Sequence, residues 1–195
     1  MPIVYDLIFL VFALSYLPAY VFKRKFHQGF LMRLGFLSRS IKKELDSSGS
    51  GPIWVHAVSV GEVKALSKLI DELHKEYPGI KIVISTVTPT GNKVARALAG
   101  RNDVVLYLPF DISFIVRRVI KTVGPAIFII AETEIWPNLI WFLHKCGIPV
   151  VTVNARISDS SFRGYSMIKP FLGLCSPRWI YSASRQKQTQ GGLCS

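Results

Sequence analysis

Five short apolar runs, separated by segments with helical spacing, constrain the fold of this chain more than any other feature of its 195 residues. Their apolar residues are continuous rather than alternating, which is typical of strands that are covered on both faces. We therefore predict five buried strands. The runs are residues 53–58, 80–86, 104–108, 126–131 and 148–153.

The segments between these runs have the pattern of amphipathic helices. Leu66, Ile70 and Leu73 recur at helical spacing before Pro78-Gly79, and a second pattern runs from Ile112 to Val123 before Gly124-Pro125. Residues 92–99 and 138–145 are shorter candidates. Strands that alternate with helices at these spacings form βαβ units. The sequence thus predicts an α/β, Rossmann-like domain with a parallel sheet.

An apolar stretch precedes this domain. Residues 3–22 are almost uninterruptedly apolar, and about 20 such residues in a helix can cross a bilayer. Because basic residues follow the stretch rather than precede it, we predict a retained membrane-anchor helix over residues 1–25, with the downstream domain on the cytoplasmic side of the cell inner membrane. The alternative is a helix that lies in the membrane interface or packs on the domain, since Asp6 and Pro18 both weaken a span.

The charge of the chain indicates an anionic partner. The sequence has 24 Lys and Arg against 12 Asp and Glu, a formal net charge of +12. Cations are concentrated directly after the apolar stretch, where anionic headgroups attract them, so we expect inner-membrane phospholipid as a partner. Nucleic acid is not expected, because the sequence lacks a C-x-x-C pair and an aromatic RNP-like run. The clustered cations are Lys23, Arg24, Lys25, Arg33, Arg39, Lys42 and Lys43.

The predicted organisation has four parts. A basic membrane-proximal segment and linker at residues 26–50 follows the anchor, and the Rossmann-like domain occupies residues 51–184. Within that domain, residues 174–184 can supply a sixth strand. Residues 185–195 form a polar, aperiodic tail.

Polar residues follow each predicted strand, at the edge where open parallel sheets bind ligands. Glu62 opens the helix after the first strand, and Gly61 beside it lets a ligand approach the backbone. Free N–H groups at a helix start favour an ionised carboxylate, which is suited to act as a general base. The alternative is that Glu62 only stabilises the first turn of its own helix.

The other strand ends carry weaker candidates. Glu132 and Glu134 are two residues apart and tend to point to opposite sides, so at most one faces a common ligand. Asn154 and Arg156 are candidates for polar-ligand binding, since a guanidinium grips phosphate or carboxylate in a bidentate manner. We predict no bound metal, because His56 lies in a strand and His74 and His144 lie in helices. No cofactor is predicted either.

Five of these blocks, in order, resemble the signature blocks of the 3-deoxy-D-manno-octulosonic acid (Kdo) transferases. The resemblance covers roughly residues 1–173. It implies a GT-B glycosyltransferase of two Rossmann-like halves, of which the first binds the lipid A precursor acceptor and the second binds the donor CMP-Kdo. The blocks are IWVHAVSVGEV at 53–63, STVTPTG at 85–91, LPFD at 108–111, ETEIWPN at 132–138 and NARIS at 154–158.

The resemblance also implies roles for individual residues. Glu62 matches the family's catalytic base, which takes the proton of an acceptor hydroxyl as Kdo is transferred with inversion to the lipid A precursor (lipid IVA). The residues that it places on the acceptor side are Ser59, Gly61, Glu132, Asn154 and Arg156.

The family's chains are about twice as long, and residues 185–195 do not resemble their continuation. We therefore predict a truncated or frameshifted acceptor half that is inactive alone and lacks the domain for CMP-Kdo. The competing interpretation is a non-catalytic membrane-bound module that binds anionic glycolipid. A nucleotide-binding Rossmann protein is disfavoured, because no G-x-G-x-x-G follows the first strand.

Overall fold

A parallel sheet forms the centre of the computed structural model, which describes residues 5–7, 9–11, 29–46, 51–131, 136–153 and 180–181. The strand order is β3-β2-β1-β4-β5-β6, and every neighbouring pair is parallel. All five predicted strands are confirmed, and β6 lies within the stretch proposed for a sixth. The strands are β1 (Ile53–His56), β2 (Ile82–Thr86), β3 (Val104–Tyr107), β4 (Ile127–Ala131), β5 (Val150–Val153) and β6 (Ile180–Tyr181).

Helices connect the strands where the sequence predicts them. Two of them, α5 and α7, begin earlier than predicted, at Pro89 and Pro137, because proline lacks an N–H and fits the first helical position. Helix α6 ends at Gly124, whose φ of 54° lies in the left-handed region that favours glycine. The helices are α2 (Phe30–Arg33), α3 (Arg39–Asp46), α4 (Val60–Glu76), α5 (Pro89–Leu98), α6 (Ser113–Val123) and α7 (Pro137–Lys145).

Apolar side chains fill both faces of the sheet. Val55 packs with Ile70 of α4 in one cluster, whereas Trp54 packs with Val116 of α6 and Leu139 of α7 in the other. Strand β1 is therefore buried on both sides, as its continuous apolar run predicts. The sheet with helices on both faces is the predicted Rossmann-like arrangement.

The described residues before β1 pack on this domain. Leu37 and Leu45 belong to the core cluster on the α6 and α7 side, and α3 lies against α6 and β3. These residues fall within the stretch predicted as a membrane-proximal segment and linker. They form two short helices, α2 and α3.

Residues 5–7 and 9–11 are helical and are called α1 here. The Asp6 carboxylate accepts hydrogen bonds from the Ser113 backbone N–H at 3.0 Å, from the Ser113 hydroxyl, and from the Asn138 side-chain amide at 2.7 Å. The described part of α1 thus packs on the domain, as in the alternative considered for this stretch. Among the described residues, no helix is both long enough and apolar enough to span a membrane. Most of the predicted anchor lies outside them.

Candidate functional site

The turn after β1 holds Glu62 in a fixed position. Ser59 is the N-cap of α4, and its hydroxyl oxygen accepts a hydrogen bond from the Glu62 backbone N–H at 3.3 Å. The Glu62 carboxylate in turn accepts from the Val58 N–H at 2.8 Å and from the Ser59 hydroxyl at 2.7 Å. This arrangement is a capping box of the S-x-x-E type. It differs from the usual form in that the Glu62 carboxylate accepts from the backbone N–H of Val58, the residue before the N-cap, and not from the backbone N–H of the N-cap residue Ser59.

The capping box leaves the Glu62 carboxylate capable of proton transfer. An ionised carboxylate has about four lone-pair positions, and two of them are occupied here. Glu62 is only partly buried, and Gly61 beside it is exposed. A Cβ added to Gly61 would meet only the Ser59 Oγ, at 3.8 Å, so packing within the protein does not require glycine there. The space beside Glu62 is open.

The turn after β2 supports the turn after β1. The Thr88 hydroxyl donates to the Val58 carbonyl at 3.3 Å and accepts from the Gly91 N–H at 3.1 Å. A Cβ on Gly91 would lie 2.8 Å from the Thr88 Oγ1 of its own turn and 3.4 Å from the Val58 carbonyl oxygen of the turn after β1, so this position favours glycine. The Gly91 amide is therefore used within the protein, as a donor to Thr88.

Asn92 links α5 to the sheet. Its buried side-chain amide donates to the Thr86 Oγ1 at 3.3 Å and to the Leu106 carbonyl at 3.2 Å, and its oxygen accepts from the Arg96 Nε at 3.0 Å. Asn92 is not among the predicted site residues. A polar residue on the apolar side of a predicted helix is the signal that identifies such a contact.

Asp111, after β3, fixes the start of α7. Its carboxylate accepts from the Asn138 N–H at 3.1 Å and from the Leu139 N–H at 2.8 Å, while the Asn138 side chain donates to the Asp111 carbonyl at 2.8 Å. The N-cap residue Trp136 makes no side-chain cap, so Asp111 replaces it from another part of the chain. Burial raises the pKa of Asp111 to about 6, although hydrogen bonds from Leu139, Asn138 and the Tyr5 hydroxyl oppose the shift.

His56 ends β1 and is fully buried. Its Nδ1 lies 3.0 Å from the Ser85 carbonyl oxygen and 2.9 Å from the Ser85 hydroxyl. Within the described residues, the His56 Nε2 and the Trp136 Nε1 are buried without a hydrogen-bond partner, and the two rings are 6.2 Å apart. Burial lowers the pKa of His56 to about 4, with Arg33 adding to the shift, so the ring is neutral at pH 7.

The predicted site residues divide into two groups. Ser59, Gly61 and Glu62 occupy one turn, where Ser59 and Glu62 are hydrogen-bonded to each other. Glu132, Asn154 and Arg156 lie outside the described residues, so their placement in the site stays a prediction. In the described ranges, no three His, Cys, Asp or Glu side chains form a group able to hold a metal ion.

Comparison with known proteins decides the family. A family model for 3-deoxy-D-manno-octulosonic-acid transferase (Kdo transferase) matches residues 28–190. This chain belongs to the Kdo transferase family. The match includes β1 to β6 and all five sequence blocks on which the predicted resemblance was based, so that prediction is confirmed.

Curated relatives agree with the family match. A 3-deoxy-D-manno-octulosonic acid transferase of Haemophilus influenzae is 43% identical over 120 residues, which cover 62% of this chain and 28% of the relative. One of Chlamydophila psittaci is 32% identical over 166 residues, 84% of this chain and 38% of the relative. One of Rickettsia felis is 36% identical over 123 residues, 63% and 26% of the two chains. The chain thus matches less than two fifths of these relatives' length.

Proposed function

We propose that this chain is the acceptor-binding half of an inverting glycosyltransferase that moves Kdo from CMP-Kdo to the lipid A precursor, lipid IVA, with Glu62 as general base. The observation that carries the proposal is the turn after β1. There this chain, a member of the Kdo transferase family, holds the accessible Glu62 carboxylate at the edge of the sheet where parallel α/β folds bind ligands. We propose further that a second domain binds CMP-Kdo, so that this half is inactive alone.

The proposed reaction is a single displacement. An acceptor hydroxyl oxygen attacks the anomeric carbon of Kdo, its proton passes to Glu62, and the bond from that carbon to the CMP oxygen breaks. The Val58 N–H and the Ser59 hydroxyl hold the carboxylate, so it does not need to reorient to accept the proton. Ser59 and Gly61 shape the space beside it, and we propose that Glu132, Asn154 and Arg156 contact the acceptor.

The proposed acceptor is a membrane lipid, so the protein must work at a membrane surface. We propose that the protein works at the cytoplasmic face of the cell inner membrane, with residues 1–25 as its single anchor. The +12 net charge supports this location, because cations are attracted to anionic headgroups at a membrane surface.

The competing proposal is a non-catalytic module that binds anionic glycolipid. One observation favours this alternative. Each Glu62 carboxylate oxygen already accepts a hydrogen bond that stabilises the start of α4. A variant that keeps the cap but removes the base separates the two proposals.

Glu62→Gln is that variant, because glutamine also closes a capping box. It is tested in this chain joined to the C-terminal region of the Haemophilus influenzae relative, with CMP-Kdo and lipid IVA as substrates. If Glu62 is the base, this change should lower the kcat of the joined protein by about 10²- to 10⁴-fold, with little change in thermal stability. The rate would stay near that of the unchanged protein if Glu62 were only a cap.

Ser59→Ala is the matched control. It removes the N-cap hydroxyl but keeps the carboxylate, so it should cost about 1 kcal/mol of stability and affect kcat much less than Glu62→Gln. Equal losses of kcat in the two variants, accompanied by equal losses of stability, would assign the effect to the cap and not to the base.

A further inference from the structure

The outer surface of α6 and α7 contains a groove that the proposed reaction does not use. Its volume is about 420 Å³. Ser113, Arg117 and Lys121 follow one another at intervals of four residues, so they form a stripe along α6 that extends about 12 Å from the carboxyl edge of the sheet. The lining residues are Ser113, Phe114, Arg117, Arg118, Lys121 and Phe142.

The groove is cationic. Arg117, Arg118 and Lys121 line it, and the salt bridges found among the described residues, His74–Asp103 and Lys75–Glu72, involve none of them. The Arg118 guanidinium lies 4.9 Å from the centre of the Phe36 ring. At the Ser113 end, the Asp6 carboxylate accepts hydrogen bonds from Ser113 and Asn138. The three cations therefore favour an anionic ligand.

Two exposed aromatic side chains lie at the same groove. Phe114 on α6 is 70% exposed and Phe36, beneath Arg118, is 55% exposed. Leu7 on α1 is 63% exposed, and Asp6 fastens α1 to Ser113 at the rim. Leu10, Val11 and Leu31 are also exposed on the segments before β1.

The opposite surface differs. Helices α4 and α5 carry exposed lysines such as Lys64, Lys68 and Lys93, but the large apolar side chain exposed there, in the described part of the chain, is Tyr77 beside the end of α4. Cations occur on both faces, whereas the exposed Phe114 and Phe36 side chains lie beside the cations of the groove. This combination is typical of a surface that meets anionic headgroups and inserts apolar groups among them.

We propose that the groove between α6 and α7 binds the phosphate headgroup of anionic membrane phospholipids, with Phe114 and its apolar neighbours entering the membrane interface. This inference extends the proposed membrane-embedded acceptor, because it orients the sheet edge that carries Glu62 relative to the bilayer. Its test measures no transfer, so failure of the Glu62 experiment and failure of this one are distinguishable.

The test is binding of the full chain to vesicles of phosphatidylcholine, alone or mixed with phosphatidylglycerol. Residues 1–25 are the same in every variant, so differences in binding between variants report the groove and not the proposed anchor. Arg117→Gln with Lys121→Gln should weaken binding to the mixed vesicles by about 30-fold, because each cation near an anionic surface contributes about fivefold. Lys64→Gln with Lys68→Gln is the matched control, since it removes the same charge from the other face. It should change binding by less than about threefold.

Apolar insertion has its own pair of variants. Phe114→Ser should weaken binding to both vesicle compositions, whereas Tyr77→Ser, a comparable loss on the other face, should not. Circular dichroism and thermal unfolding of each variant identify any loss of binding that comes from unfolding.

Three results would overturn the proposal. One is equal weakening by the two glutamine pairs, which would mean that net charge alone attracts the chain. Another is binding that does not respond to phosphatidylglycerol. The third is tight binding of a single-stranded oligonucleotide that the Arg117 and Lys121 variant abolishes, with vesicle binding unchanged, which would assign the groove to nucleic acid.

Discussion

At the scale of single residues, the sequence identifies Glu62 but not what holds it. Its position after a predicted strand, at the start of a predicted helix, is local information, and the structure places it there. Asp111 is different. Its carboxylate caps a helix 27 residues further along the chain, so its role depends on how α6 crosses the sheet. Periodicity reports local structure and does not reveal contacts of this range.

Gly61 and Gly91 test whether the open space beside Glu62 serves a ligand. Gly61→Ala should leave the free energy of unfolding unchanged or raise it by up to about 1 kcal/mol, because alanine favours the helix and the methyl group has room. It should nevertheless raise the KM for lipid IVA in the joined protein, since the methyl group enters the proposed acceptor space.

Gly91→Ala is the contrasting change. Its Cβ would lie 2.8 Å from the Thr88 Oγ1, so we expect destabilisation of about 1–3 kcal/mol, measured by urea unfolding. If Gly61→Ala left the KM unchanged, the space beside Glu62 would have no part in acceptor binding.

At the scale of helices and strands, the sequence predicted every strand from β1 to β5 but placed some ends too far along. Ala57 and Leu108 are fully buried, yet each lies just beyond the last residue of its strand. The Ala57 N–H still donates to the Ser85 carbonyl of β2 at 3.0 Å, and the Leu108 N–H donates to the Thr86 carbonyl at 2.8 Å, so burial and backbone pairing both continue one residue past each strand. Apolar runs report burial, which explains why the predicted strands are longer than the observed ones.

Asp6 joins three helices, and its removal tests that connection. Asp6→Ala deletes the acceptor for the Ser113 N–H and for the Asn138 amide, so it should destabilise the domain by about 1–3 kcal/mol in urea unfolding. It should also speed hydrogen exchange at the start of α6. The matched control is Leu7→Ala on the same helix, which is 63% exposed and should cost less than about 0.5 kcal/mol. Equal effects of the two changes would mean that α1 contributes through general packing alone.

At the scale of the whole molecule, the fold class followed from the order of the elements, since alternating strands and helices form a parallel sheet with helices on both faces. The order of the elements does not predict the two helix caps that come from distant residues. Asp6 and Asp111 come from segments before β1 and after β3, and together they fix the starts of α6 and α7. Both helices border the groove proposed for phospholipid, so these contacts also shape that surface.

The pH dependence of stability should combine two opposing contributions. The pKa of Asp111 is raised to about 6, so the unfolded chain loses this proton first and stability falls as the pH rises from about 4 to 6. The pKa of His56 is lowered to about 4, so the unfolded chain gains a proton first as the pH falls below about 6.5, and stability is lost toward pH 4. Each shift corresponds to about 3 kcal/mol, and the two act in opposite directions over overlapping pH ranges.

Single variants should separate these contributions. We expect the unfolding free energy of Asp111→Asn, relative to that of the unchanged protein, to rise by about 3 kcal/mol between pH 4 and 7, because only the His56 contribution remains. That of His56→Asn should fall by a similar amount over the same range. Urea unfolding at several pH values measures both, and subtracting the curve of the unchanged protein removes the groups common to all three. The loss of packing or of a hydrogen bond in either variant shifts its curve without changing its slope. Parallel curves would therefore show that neither buried group keeps a shifted pKa in the folded protein.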